Sequence, residues 1–114
     1  MLRLTIFGCF FLSLTVGHVV AGEQEVPDYP VERWCKEVAK TAGDSEIIYG
    51  GCIQQEQSAY DDLKVSWTEV PRKTQIWCKE VAKASGPGSY MILKGCVEQE
   101  AAAQKENTTR HFVK

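Results

Sequence analysis

The sequence predicts an all-α protein: two tandem disulfide-closed antiparallel helical hairpins, four helices in all, following a signal peptide. Three observations lead there. The string Trp34-Cys35-Lys36-Glu37-Val38-Ala39-Lys40 returns unchanged as Trp77-Cys78-Lys79-Glu80-Val81-Ala82-Lys83, and a second shared string follows each copy. In that second string Ser45, Gly51, Cys52, Gln55 and Glu56 correspond to Ser89, Gly95, Cys96, Gln99 and Glu100. Finally, the apolar residues of both copies recur with a helical period, and each copy holds two cysteines at nearly the same separation.

Residues 1–21 read as a secretory signal peptide: Arg3 gives a positive start, an apolar run reaches Val20, and small residues stand near Ala21. The competing reading is an uncleaved anchor, against which Gly17 and His18 interrupt a run that should hold about 20 strongly apolar residues to span. Removal of the signal takes Cys9 and Arg3 with it and leaves 12 basic against 15 acidic side chains, a net −3. That balance has no basic patch, which argues against nucleic-acid binding. After cleavage no stable membrane insertion is expected.

Residues 22–30 form an acidic lead-in with Pro27 and Pro30, expected to be extended. From Val31 the apolar positions Val31, Trp34, Cys35, Val38, Ala39 and Ala42 follow helical spacing, with Glu32, Lys36, Glu37 and Lys40 opposite. Gly43 is placed to end this helix, and Asp44 or Ser45 to cap the next. A second helix is expected from Glu46 to about Trp67, with Gly50-Gly51 marking a kink, a frayed turn or a close approach of two helices. Repeat 1 is therefore residues 31–67 and the linker 68–72. Repeat 2, residues 73–106, follows the same plan, with Ser85-Gly86-Pro87-Gly88 as its break and Ser89 as the next cap. Residues 107–114 are a polar tail in which Asn107-Thr108-Thr109 fits the glycosylation acceptor pattern. Trp34, Trp67 and Trp77 lie on or beside apolar stripes and are read as hairpin core.

Cys35, Cys52, Cys78 and Cys96 allow three pairings, and the repeat selects Cys35–Cys52 with Cys78–Cys96. In an antiparallel hairpin rising about 1.5 Å per residue, each pair sits at one height, about 12 Å from its turn. A β-hairpin closed by the same bond is the runner-up, but it needs an alternation that the repeat openings lack. Zinc fails on spacing: no Cys-x-x-Cys pair is present, and His111, the only histidine left after cleavage, lies in the tail.

At Cys35…Ser45…Cys52-x-x-x-Glu56…Ala59-Tyr60-x-x-Leu63…Trp67 the chain resembles small exported bacterial proteins of unassigned function built from repeated disulfide-closed helical hairpins. A looser similarity is to the lysozyme-inhibitor-like exported domain, whose two cysteines lie closer together and precede a Glu…Ala-x-x-x-Leu helix. Neither resemblance supplies catalytic residues, and no cofactor is expected.

Glu56 and Glu100 each lie four residues past a cysteine on the apolar stripe. They are read as structural carboxylates, each seated against the start of the preceding helix of its own hairpin, where free N–H groups attract an anion. As a catalytic pair they carry little weight, because duplication alone produces such pairs, and no histidine is placed to complete a site. The faces Lys36, Glu37, Lys40 and Lys79, Glu80, Lys83 are a candidate partner surface presented twice; a solvated, ion-paired helix face explains them equally well. The resulting expectation is a secreted or periplasmic non-catalytic protein of the bacterial envelope that binds or inhibits a protein partner. The alternatives are a structural or stress-related periplasmic protein without a dedicated ligand, and a lysozyme-inhibitor-like activity. Whether the hairpins pack on each other or on another chain is left open.

Overall fold

A computed structural model describes residues 25–114, so the expected signal peptide and Cys9 lie outside the described residues. The described chain holds four α-helices and no strand: α1 Val31–Lys40, α2 Glu46–Ser66, α3 Arg72–Lys83 and α4 Tyr90–Asn107. A single 3-10 turn, Trp67–Glu69, continues α2 into the linker.

Local chemistry sets the boundaries. Helix α1 buries Cys35 and Ala39 and turns its charged side chains outward. It stops two residues before Ala42 because Gly43 enters the left-handed region, at φ +72°, which lets the Asp44 N–H return to the Ala39 carbonyl at 3.0 Å. Ser45 caps α2, its hydroxyl accepting from the Ile48 N–H at 3.3 Å, and Ser89 caps α4 through Ile92 at 3.2 Å. The Gly50-Gly51 pair does not break α2, and a Cβ at either position would meet nothing within 4 Å. These glycines are therefore neither a fray nor a site of close helix approach.

Both disulfides close hairpins. Cys35–Cys52 joins α1 to α2 and Cys78–Cys96 joins α3 to α4, each with a Cα–Cα separation of 5.5 Å. The equal-height expectation from helix rise and turn position is thus met in both copies.

The two hairpins pack on each other through α2 and α4. Ala59, Leu63 and Trp67 meet Tyr90 and Leu93 in one buried cluster, which Cys78 and Ala82 extend under α3. Glu56 lies beside Ser89, and further along Asp62 pairs with Lys94 at 2.8 Å, so the two helices run in the same direction. The linker is fixed by Gln75, itself 1% exposed, whose side-chain amide donates to the Trp67 carbonyl at 3.0 Å. That carbonyl also accepts from the Val70 N–H at 3.1 Å, so Gln75 adds a second bond that ties α3 to the end of α2.

The three tryptophans do not share one fate. Trp67 is 1% exposed and Trp34 is half-buried, whereas Trp77 is 52% exposed. The core assignment is corrected for Trp77: its helix, α3, has no neighbour on that side among the described residues.

Each disulfide closes a loop short enough to constrain the unfolded chain strongly. Replacing Cys78 and Cys96 together by serine is expected to lower the unfolding free energy by about 3 kcal/mol, the chain-entropy value for such a loop. Urea denaturation measures this loss, and non-reducing peptide mapping of the parent should return only the two within-hairpin pairs.

Candidate functional site

The junction between the hairpins is built from a socket and a plug. The socket is the side of hairpin 1 where Trp34 of α1 and Glu56 of α2 lie close to the Cys35–Cys52 bridge. The plug is the turn end of hairpin 2, from Gly86 to Tyr90. Gly86 is glycine for a steric reason: a Cβ there would lie 2.8 Å from the Trp34 ring. Gly88 has two such reasons. Its φ is +122°, and a Cβ would strike the Tyr29 ring.

Glu56 is 2% exposed and accepts two short hydrogen bonds, from the Ser89 hydroxyl at 2.5 Å and from the Tyr90 N–H at 2.6 Å. The Ser89 hydroxyl also caps α4, so one serine serves the helix and the junction together. The carboxylate faces the first free N–H groups of α4, where the helix dipole favours negative charge.

The sequence reading placed this carboxylate at the start of α1, within its own hairpin, and the structure corrects that. Hairpin height puts Glu56 level with the start of α1, but side-chain direction turns it onto the neighbouring hairpin. Glu100, its counterpart in the second copy, is half-buried and makes no hydrogen bond or ion pair among the described residues. Among the described residues no further hairpin packs against it.

Three tyrosines surround the plug. The rings of Tyr29 and Tyr60 both stand 4.9 Å from that of Tyr90, tilted by 38° and 53°. The Tyr90 hydroxyl donates to the Pro27 carbonyl at 2.7 Å and accepts from the Tyr29 N–H at 2.9 Å. Residues 25–30 are free of regular structure, as expected of the lead-in, yet they are held down by these contacts. Burial, with the neighbouring Tyr90 adding to it, pushes the Tyr29 phenol up to about 12. Burial likewise raises Tyr90, outweighing the backbone hydrogen bond from Tyr29 that lowers it.

Beside this junction the lead-in, α1, α2 and α4 enclose a groove of about 470 Å³. Val26, Val31, Ile53, Tyr60 and Tyr90 supply its apolar and aromatic wall. Glu25, Asp28 and Glu32 bring carboxylates to its edge, and no basic side chain among the described residues lines it. Its shape and charge suit a cationic segment with apolar content.

The candidate surface Lys36, Glu37 and Lys40 lies exposed on α1; Glu80 and Lys83 are exposed on α3, with Lys79 half-buried beside them. The structure does not bring these two faces together, because α1 and α3 do not pack on each other. Glu37 engages Arg33 at 3.4 Å, one turn away on α1, which is the local ion pairing of a solvated helix face. The four cysteines are committed to disulfides. Among the described residues no group of His, Cys, Asp and Glu is arranged to hold a metal ion.

Sequence reasoning missed Tyr29, Tyr90 and Gln75. A signal existed for the first two: they stand where the repeat is not copied, with Arg72 in place of Tyr29 and Glu46 in place of Tyr90. No protein-family model, curated protein or solved structure matches this chain.

Two outcomes follow for the junction. Glu56→Gln is expected to cost about 2–4 kcal/mol of unfolding free energy, since it removes the charge from two buried hydrogen bonds. Glu100→Gln should stay within about 0.5 kcal/mol, as for a surface change; chemical denaturation at neutral pH compares the two. The second outcome concerns pH. A phenol whose folded pKa is raised contributes stability that is whole below the unfolded value and lost as pH rises through the folded one. Stability should therefore fall between about pH 10 and 12. Tyr29→Phe, which cannot ionise, should blunt that fall, and the parent-minus-variant tyrosinate absorbance should rise near pH 12 rather than pH 10.

Proposed function

We propose that this protein is an exported, non-catalytic binding module that captures a cationic segment of a protein partner in the groove beside Tyr60 and Tyr90. The observation that carries this reading is the one-sided charge of the groove: an apolar and aromatic wall edged by Glu25, Asp28 and Glu32. All three carboxylates are exposed, so they keep their water in the free protein, and their shared negative charge along one rim would attract a Lys- or Arg-bearing segment. Aromatic faces add cation–π attraction, which Lys64 already makes with Tyr60 at 4.8 Å from the ring centroid.

Rigidity favours recognition over catalysis. Two disulfides and a buried junction hold the groove in one shape, which reduces the ordering cost of binding. Disulfides persist in oxidising compartments, and no described helix is long and apolar enough to cross a membrane. An envelope or extracellular setting is compatible with both. A basic enzyme such as lysozyme is one partner of the right charge, which keeps the inhibitor reading within this proposal.

The test is a titration of the isotope-labelled protein with a short Lys- and Leu-rich peptide, alongside a lysozyme inhibition assay. Amide shifts should concentrate at residues 25–32, 53–60 and 90. Asp28→Lys with Glu32→Lys should weaken peptide binding at least about tenfold, as reversal of two rim charges implies. Shifts spread over the Lys36 and Lys79 faces instead, or none at all, would remove the groove as the binding site. Loss of lysozyme inhibition in the same variant would identify that partner class.

A further inference from the structure

The internal junction uses one socket and one plug, and the duplication leaves a second of each at opposite ends of the molecule. In hairpin 1 the socket is Trp34 and Glu56; hairpin 2 carries the same letters as Trp77 and Glu100. In hairpin 2 the plug is Gly86, Ser89 and the start of α4; hairpin 1 carries Gly43, Ser45 and the start of α2. Gly43 and Gly86 each lie three residues past the last residue of the preceding helix, Lys40 and Lys83. Asp44 and Gly88, the residues before the two capping serines, both have positive φ, at +57° and +122°. The two turns thus share a glycine three residues past the helix and a positive-φ residue before the capping serine, although the second is longer by Pro87 and only Gly43 of the glycine pair has positive φ, at +72°.

The second socket is open. Trp77 is 52% exposed, whereas its copy Trp34 is covered by the turn at Gly86. Glu100 has no partner among the described residues, whereas Glu56 holds Ser89 and Tyr90. The second plug is open too: a Cβ at Gly43 would meet nothing within 4 Å. Within one chain these two surfaces have no route to each other, because hairpin 2 already occupies the socket of hairpin 1.

We infer that a second copy of this chain docks head to tail, its α1–α2 turn seated between Trp77 and Glu100 of the first. The positions that differ between the two junctions support this occupant by their charge. Inside the molecule Tyr29 packs against Gly88 and Tyr90. The same placement between copies sets Arg72, the counterpart of Tyr29, against Asp44 and Glu46, the counterparts of Gly88 and Tyr90. An aromatic stack is thus replaced by a cation facing two carboxylates. All three side chains are exposed in the single chain. Glu100 would reach the Ser45 hydroxyl and the Glu46 N–H as Glu56 reaches Ser89 and Tyr90, and Trp77 would cover Gly43.

The intermolecular junction is weaker than the internal one. Leu63 and Trp67, which back the internal contact, correspond to Asn107 and His111. Association is therefore reversible, concentration-dependent and weakened by salt. A head-to-tail contact is heterologous, so it extends into short open chains or closes into a ring rather than stopping at a symmetric dimer. This surface is separate from the groove beside Tyr60, and neither proposal depends on the other.

Sedimentation velocity on the mature protein, from micromolar to about 0.5 mM, at about 20 mM and then about 500 mM salt, tests the inference. Oligomers are expected at the low salt and are expected to dissociate at the high salt. Arg72→Glu alone, and Asp44→Lys with Glu46→Lys alone, should each weaken self-association at least about tenfold. An equimolar mixture of those two proteins should associate again, because each then meets a complementary partner. Circular dichroism confirms that the variants remain folded. Glu100→Gln should weaken association while leaving the stability of the monomer unchanged. Three results would overturn the inference: a monomer at every concentration, an Asp44→Lys/Glu46→Lys protein that associates like the parent, or a mixture that stays monomeric.

Discussion

The buried carboxylate of Glu56 sets the relation between the two halves of this molecule. A charge at 2% exposure survives only where hydrogen bonds replace its water, and here they come from the Ser89 hydroxyl and the Tyr90 N–H. Both donors belong to the other hairpin, so the carboxylate is satisfied in one arrangement of the hairpins and stranded in others. Apolar contacts among Ala59, Leu63, Trp67 and Leu93 contribute the larger share of the attraction but tolerate sliding. The carboxylate supplies the register. It also orders the neighbourhood of the groove, since Tyr90, which follows Ser89, holds the lead-in through Pro27 and Tyr29.

The disulfides act one level below. A chain this short has little core, and the buried residues form one modest cluster at the junction plus the packing around each bridge. Closing each hairpin covalently removes entropy from the unfolded chain and leaves the two-hairpin contact with a smaller task. The proposed recognition function depends on that division of labour. A groove formed by four segments, α1, α2, α4 and the lead-in, keeps its shape because none of the four is free to move far. Bridges restrain α1, α2 and α4, and Tyr90 restrains the lead-in.

Duplication explains why identical letters behave differently. Trp34 and Trp77, or Glu56 and Glu100, share sequence neighbours and helix positions, yet one of each pair is engaged and the other is open. A two-unit array must have one internal junction and two ends, and repeat architectures ordinarily make those ends polar. This chain does so only in part. Asn107, His111 and Glu46 stand where the internal junction has Leu63, Trp67 and Tyr90, while Trp77, Glu100, Gly43 and Ser45 are retained. The retained set contains the specific contacts and the exchanged set most of the apolar area, the pattern of an end that pairs weakly and selectively.

The helices, turns, caps and bridge of each hairpin were legible in the sequence. Apolar spacing gave the helices, Gly43 and the 85–88 break gave the turns, Ser45 and Ser89 gave the caps, and cysteine heights gave the pairing, because each depends on residues close along the chain or tied by helix geometry. What lay between hairpins was not. The sequence put Glu56 at the right height and at a helix start, but the choice between α1 and α4 turns on the direction of one side chain across a non-local contact. The burial of Tyr29, the hold of Gln75 on the linker and the exposure of Trp77 were likewise decided only by tertiary packing. A periodic pattern marks an apolar face; it does not say which neighbour will cover that face, and in this molecule the same face is covered once and left open once.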